Sequence, residues 1–261
     1  MHWMTMDEHE LIASAKAGDA SALNTLLRQL EPKLYRFSLR MCGRVEDAED
    51  ALQETLMAVV RGLPTFRGNS SLSTWGYTIA RRICSRARSR EMPTDAAEPE
   101  ELSSDHDPSA EASRARQWAK IRAAVLALET GQREVFVLRD IEGLSAREVG
   151  EVLDLGVPAV KSRLHRARAR VRQLIAKDLG EPAPGCPNIR AVFSSHLEGD
   201  LSAGQCALMR DHVHQCSACA EECDALKEIL AVCSKALAEV PEEVQQRVQA
   251  ALARALARAT V

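Results

Sequence analysis

The chain has 261 residues, a formal net charge of −3, only 3% aromatic residues and eight cysteines. That length accommodates two or three small domains, and a composition rich in Ala, Leu and Arg suits several small helical bundles better than one large core. No apolar run reaches the roughly 18 residues that span a bilayer. Met1 to Glu8 carries neither a basic n-region nor an apolar h-region, so no secretory signal and no membrane partner are expected, and the protein is expected to be cytoplasmic.

The modest net charge hides strong segregation. From Gly62 to Arg90 there is no acid, while Arg67, Arg81, Arg82, Arg86, Arg88 and Arg90 are present. From Glu91 to Ser113 there is no Lys or Arg and acids recur, and from Pro158 to Lys177 the chain is again basic and acid-free. Two basic blocks around an acidic spacer point to two surfaces for a polyanion.

In chain order, Leu11 to Val60 repeats apolar residues at helical spacing, as at Leu23, Leu26, Leu27, Leu30, Leu34 and then Leu52, Leu56, Val59, Val60. Gly43 should end one of these helices. Leu63-Pro64 and Gly68–Ser71 mark loops, after which a helix over about 73–90 places Trp75, Ile79 and Ile83 on one face. Residues 8–92 are expected to form the first domain, 93–113 an acidic flexible linker, and 114–178 a second helical domain.

Within that second domain, Ser145-x-x-Glu148 is a capping box that should start a helix running to about Leu153. Pro158 suits the first turn of the next helix, where its missing N–H is not needed. That helix directs Val160, Leu164, Ala167, Val171 and Leu174 inward and shows Lys161, Arg163, His165, Arg166 and Arg170 on its other face. A short turn between two helices, with a basic second helix, matches helix-turn-helix geometry.

Residues 179–185 break the chain again. Cys186, His212, Cys216 and Cys219 then follow in the pattern C-x25-H-x3-C-x2-C. Six of the eight cysteines lie between 186 and 233. In a reducing compartment such clustering favours metal or redox chemistry over a disulfide scaffold. Three thiolates and one imidazole are a donor set that zinc accepts, and four protein ligands make a structural rather than a catalytic site. With no H-E-x-x-H pattern either, the chain is not expected to be an enzyme. Cys206, Cys223, Cys233, His196 and His214 exceed that need. They are either core and surface residues or a second metal or redox site that takes part when a softer ion such as Cu or Cd arrives. Cys42 and Cys84 sit in apolar helical contexts and read as core residues. Ser202-x-x-Gln205 is another capping box. The expected metal-binding domain spans 186–240, and 241–261 forms an amphipathic helix with Val244, Val248, Leu252 and Leu256 every four residues, which needs a partner surface.

Several of these segments together carry a family resemblance. Asp47–Thr55 (DAEDALQET), Phe66–Trp75 (FRGNSSLSTW), Ile79–Arg82 (IARR), Arg133–Ser145 (REVFVLRDIEGLS) and Val160–Arg168 (VKSRLHRAR) resemble the extracytoplasmic-function (ECF) class of bacterial sigma factors, in order and in both halves. The resemblance implies an all-α protein with a sigma region 2 domain and a region 4 helix-turn-helix, acting as a promoter-specificity subunit of core RNA polymerase. Asp50, Gln53 and Glu54 would lie on the segment that binds the polymerase clamp helices. Asn69, Ser70, Arg81 and Arg82 would help hold the opened −10 element. Trp75 has two readings, core packing or a role near the DNA bubble. Lys161, Ser162, Arg163, His165 and Arg166 would contact the −35 element, by base edges or by phosphate. Asp154 and Gly156 depart from the family's usual turn, but Asp tolerates left-handed backbone and Gly is an acceptable cap.

The His212-x3-Cys216-x2-Cys219 segment, with Cys186, is similar to the zinc-binding anti-sigma domain, and a Cys-rich C-terminal extension on a sigma factor resembles the CorE-like group. Together these imply regulation in cis through intramolecular contact between the C-terminal domain and the sigma domains, by metal or by thiol oxidation. The alternative is a zinc-stabilised interaction module that senses nothing.

Overall fold

The structure, a computed structural model, describes residues 7–90, 118–175, 186–235 and 240–259, without the side chains of 88–90, 233–235 and 255–259. Every element among them is helical, as the all-α expectation has it. The helices are α1 (Glu8–Lys16), α2 (Ala20–Cys42), α3 (Val45–Gly62), α4 (Leu72–Arg90), α5 (described over 118–126), α6 (Thr130–Phe136), α7 (Ala146–Leu153), α8 (Val157–Ile175), α9 (Ile189–Leu197), α10 (Ala203–Gln215), α11 (Ser217–Lys235) and α12 (Glu242–Ala259). A 3-10 turn, Leu63–Thr65, follows α3, and one π turn, Val137–Ile141, follows α6. The described residues fall into two compact units, one drawn from 1–97 and 237–261, the other from 98–236. The expected linkers, 93–113 and 179–185, lie wholly outside the described residues.

In the first unit the caps set where helices begin and end. Asp19 accepts N–H bonds from Ser21 and Ala22 at 2.8 and 3.2 Å, satisfying amides that the first turn of α2 leaves without partners. The Ser14 hydroxyl, which also donates to Asp19, is the foremost cause holding that carboxyl below its usual range. Gly43 ends α2 with φ 89°, in the left-handed region that favours glycine. The core is the apolar face of α2 (Leu26, Leu30, Leu34, Phe37, Met41) against α3 (Ala48, Leu52, Leu56, Val59) and α4 (Tyr77, Ala80, Ile83, Cys84). Phe37 meets Tyr77 edge-on at 5.3 Å between centroids, the orientation that the ring quadrupoles favour. A Cβ on Gly62 would stand 2.9 Å from the Trp75 ring, so glycine is what lets α4 close on the end of α3.

The tail helix finds its partner in this same unit. α12 packs along α3 and buries Val244, Val248, Ala251 and Leu252. Arg247 adds an ion pair with Glu49. The apolar period of four in the sequence therefore describes one stripe laid on one neighbour; the side chain of Leu256 lies outside the described residues.

The second unit holds α5 to α11. Ser145 Oγ accepts from the Glu148 N–H at 3.2 Å, and Glu148 accepts from the Ser145 N–H at 2.8 Å, so the capping box forms as expected. The Ser145 hydroxyl is the first cause holding the Glu148 carboxyl below its usual range. α7 ends on Asp154 with φ 57° and ψ 52°, so the aspartate does take the left-handed conformation. A Cβ on Gly150 would come within 2.5 Å of the Leu155 carbonyl, and this close approach is what makes the turn into α8 tight. Val160, Leu164, Ala167 and Val171 are buried, as the apolar stripe predicts. The C-terminal helices have a small core of their own, Ile189, Phe193, Cys219, Cys223 and Leu226. It starts from Asn188, which caps α9, and from the expected Ser202–Gln205 capping box of α10.

Candidate metal centre and promoter-reading surface

Ligating atoms of Cys186, His212, Cys216 and Cys219 lie within 4.8 Å of one another, and no other such group of His, Cys, Asp and Glu occurs among the described residues. The chain arrives there from three directions. Cys186 precedes α9, His212 is in the last turn of α10, and Cys219 is in the first turn of α11. Cys216 is not helical: with φ −122° and ψ 103° it is the extended residue between α10 and α11, and its N–H donates to the His212 carbonyl. The four-residue spacing brings the two ligands together by ending a helix rather than by continuing one.

Cys186 Sγ and Cys216 Sγ are 3.7 Å apart, and His212 Nε2 is 3.3 Å from Cys219 Sγ. A tetrahedral zinc with bonds of about 2.3 Å sets its sulfurs about 3.7 Å apart, so the thiol pair already has the spacing of a tetrahedron's edge. The thiols differ in proton affinity. Cys216 is lowered, first by the N–H of Cys219 and then by the Cys186 thiol. Cys219 is pushed up to about 12 by burial and then by the neighbouring thiols. A metal held here would find a thiolate most readily at Cys216 and would displace a proton at Cys219, so its binding would depend on pH.

The further Cys and His candidates do not gather into a second cluster among the described residues. Cys206 Sγ and His196 Nδ1 are 3.6 Å apart with no third ligand beside them. Cys223 is buried in the core beside the Cys/His cluster, His214 is exposed, and the Cys233 side chain lies outside the described residues.

The basic run on α8 proves to have two faces. Ser162, Arg166 and Arg170 are exposed, while Arg163 and His165 are half-buried. His165, Arg166, Arg170 and Gln173 line an open groove of about 550 Å³ together with Arg190 of α9. A stripe of α8 at positions 161, 168 and 172, turned away from Arg166 and Arg170, is held by acids of the C-terminal segment together with Asp140. Lys161 pairs with Asp200. Arg168, 5% exposed, donates to Asp140 at 2.8 and 2.6 Å, to Glu198 at 2.9 Å and to the Ser194 hydroxyl at 2.8 Å. Arg172, 1% exposed, shares Glu222 with Arg190. Burial opposes charge on Arg168, but its bonds to Asp140 and Glu198 outweigh that and raise its pKa; burial pushes Asp140 the other way, up.

The sequence reading missed Arg168, Arg172, Glu198, Asp200 and Glu222. A signal was present. The run 158–177 carries more cations than one DNA-facing side of a helix can present, and 161, 168 and 172 share a side.

Among the other candidates, Asp50 and Glu54 are exposed on α3 and Gln53 is half-buried; Glu54 accepts from Arg86 at 3.0 Å. Asn69 is exposed and Ser70 half-buried in the loop before α4, and Arg82 is exposed while Arg81 is half-buried. The half-buried Trp75 ring packs on Phe66, 5.0 Å between centroids, and against Gly62. Among the described residues no helix is long and apolar enough to cross a membrane.

Comparison with known proteins agrees with this two-domain plan. Residues 26–93 match Sigma-70 region 2, and residues 118–171 match Sigma-70 region 4. The chain is 31% identical over 166 residues to the ECF RNA polymerase sigma factor SigM of Mycobacterium tuberculosis, covering 64% of this chain and 83% of the relative. It is 30% identical to SigW of Bacillus subtilis over 197 residues, covering 65% of this chain and 97% of that protein. A solved structure of CnrH in complex with the cytosolic domain of CnrY superposes with a TM-score of 0.52 at 26% identity, covering 66% of this chain and 98% of that one. The chain belongs to the ECF RNA polymerase sigma factors, which bind core RNA polymerase and promoter DNA and direct transcription initiation. The Cys/His cluster lies beyond both matched regions.

Proposed function

We propose that residues 186–261 hold this sigma factor inactive in cis, with Zn2+ on Cys186, His212, Cys216 and Cys219 keeping the inhibitory shape. The observation that carries the reading is the pairing of three α8 cations, Lys161, Arg168 and Arg172, with Asp200, Glu198 and Glu222. α8 is the helix that reads the −35 element in this family, and Asp200 takes the charge on Lys161 that a DNA phosphate would otherwise receive. The tail supports the same reading. α12 packs on α3, the helix of Asp50, Gln53 and Glu54, where the family engages the polymerase clamp helices.

Zinc here is structural. Its ligands come from the start of α9, the end of α10 and the first turn of α11, and Cys219 belongs to the segment's core. Removing the metal takes away what joins those three helix ends, and loosens the acids set on α8. A softer ion such as Cu or Cd, or a thiol oxidant, acts on the same thiolates, and any such signal works only by favouring one arrangement over the other. The protein works in the cytoplasm, where its polymerase is.

Metal analysis and core-polymerase binding test this together. The purified chain should hold one zinc, Cys216→Ser and Cys219→Ser should each lose it, and chelation should raise affinity for core polymerase and promoter DNA. Unchanged metal content in both variants would remove the zinc assignment. Chelation that unfolds the segment without changing affinity would favour an interaction module instead.

A further inference from the structure

A second meeting of cysteines lies outside the metal centre. Cys42 is the last residue of α2 and Cys84 is buried in α4, and their Sγ atoms are 3.0 Å apart although 42 positions separate them in the chain. This spacing is shorter than the edge of about 3.7 Å that a tetrahedral zinc imposes on two sulfurs. Cys186 and Cys216 do have that edge. No His, Asp or Glu joins Cys42 and Cys84 in a metal-binding group among the described residues. Two thiols this close suit a sulfur–sulfur bond. Closing from 3.0 Å to a disulfide length of about 2.05 Å needs about 1 Å of movement. That movement falls on a residue in the last position of a helix, next to Gly43.

Accessibility orders the chemistry. Cys42 is half-buried, while Cys84 is 0% exposed. A dissolved oxidant therefore reaches Cys42 first, and Cys84 is placed to finish the reaction.

We propose that Cys42 and Cys84 form a reversible disulfide site, oxidised by low-molecular-weight disulfides and separate from the metal centre. The Cys42 thiol gives up its proton and the thiolate attacks one sulfur of the small disulfide, breaking that bond and releasing one small thiolate. The Cys84 thiolate then attacks Cys42 Sγ, breaks the mixed disulfide and releases the second small thiolate. The two protons pass to the released thiols. The two cysteines are oxidised by two electrons and one small disulfide is reduced to two thiols. The bond ties α2 to α4, the helix of Trp75, Arg81 and Arg82, within region 2. Transient, redox-sensing use of this kind is the usual form of a disulfide in a reducing compartment.

The test uses the full-length, metal-loaded chain in native buffer across a series of glutathione to glutathione-disulfide ratios. Samples are quenched with acid, alkylated, digested and mapped by mass spectrometry. The expected result is a peptide linked through Cys42 and Cys84 in more than about half of the chains at the oxidising end, lost again on dithiothreitol. A Cys42→Ser chain should yield no link to Cys84. Cys84 fully alkylated at every ratio would overturn the proposal, as would Cys42 found only as its glutathione adduct or linked to a different cysteine. Because the mapping is made on the wild-type chain, the result does not depend on how the variant folds, and it does not depend on the role assigned to residues 186–261.

Discussion

The C-terminal part of the chain makes two contacts with the sigma domains, and they are built differently. On α8 it uses buried charge, with Arg168 and Arg172 almost fully covered and each placed on carboxylates. On α3 it uses an apolar stripe, Val244, Val248, Ala251 and Leu252, with one solvent-facing ion pair at its side. A buried ion pair adds little net stability, but removing one partner is costly because the other charge stays behind without water. An apolar stripe loses energy in proportion to area and tolerates small shifts. The contact on α8 therefore has one arrangement or none, which suits a switch. The contact on α3 behaves as a clasp that can be opened in steps.

That difference can be broken by substitution. The largest effect belongs to Arg168→Met, which leaves the buried Asp140 without its bidentate partner and Glu198 with Arg139 alone, 3.2 Å away. It should cost about 3–5 kcal/mol in urea unfolding of the second unit, and a loss below about 1 kcal/mol would show that the network is ornamental. Next is Val248→Asp, which sets a carboxylate in the stripe and should cost about 1.5–3 kcal/mol of α12 docking. Hydrogen exchange should then rise in α12 and along the covered part of α3 while α8 stays protected.

Asp200→Asn sharpens the functional side. Its pair with Lys161 is partly exposed, so stability should change by less than about 1 kcal/mol. Affinity for −35 promoter DNA should nevertheless rise several-fold and become more salt-dependent as Lys161 is freed for phosphate. The smallest effect is Arg247→Ala, at about 0–1 kcal/mol, because the Arg247 side chain is 63% exposed. A loss larger than Val248→Asp causes would reverse the contrast between clasp and switch.

How much of this was legible in the sequence follows from the range of the forces involved. Local ones were readable: Gly43 ends α2, Ser145 and Glu148 form their capping box, Asp154 takes the left-handed turn, and the inward stripe of α8 is buried at Val160, Leu164, Ala167 and Val171. The four residues of the candidate metal centre could be named from the chain too, because donor type and spacing are written along it; that they are gathered by a break at Cys216 could not. Long-range partners were hidden. Arg168 meets Glu198 across 30 positions and Arg172 meets Glu222 across 50; that 161, 168 and 172 share a side was local, but the acids that cover it were not. The amphipathic tail announced that it needed a surface without naming α3. Cys42 and Cys84 each read as a core residue, and only the packing of α2 on α4 brings their sulfurs together.

The central claim is that residues 186–261 restrain the two sigma domains. Run-off transcription with core polymerase tests it most directly, comparing the full chain with one ending at Gly180 at equal concentration. The account predicts that the shortened chain initiates more transcript, and that chelating the full chain moves its activity toward the same level. A shortened chain that is inactive, while its sigma domains remain folded, would contradict it and make the metal-loaded C-terminal segment an activating part of the factor.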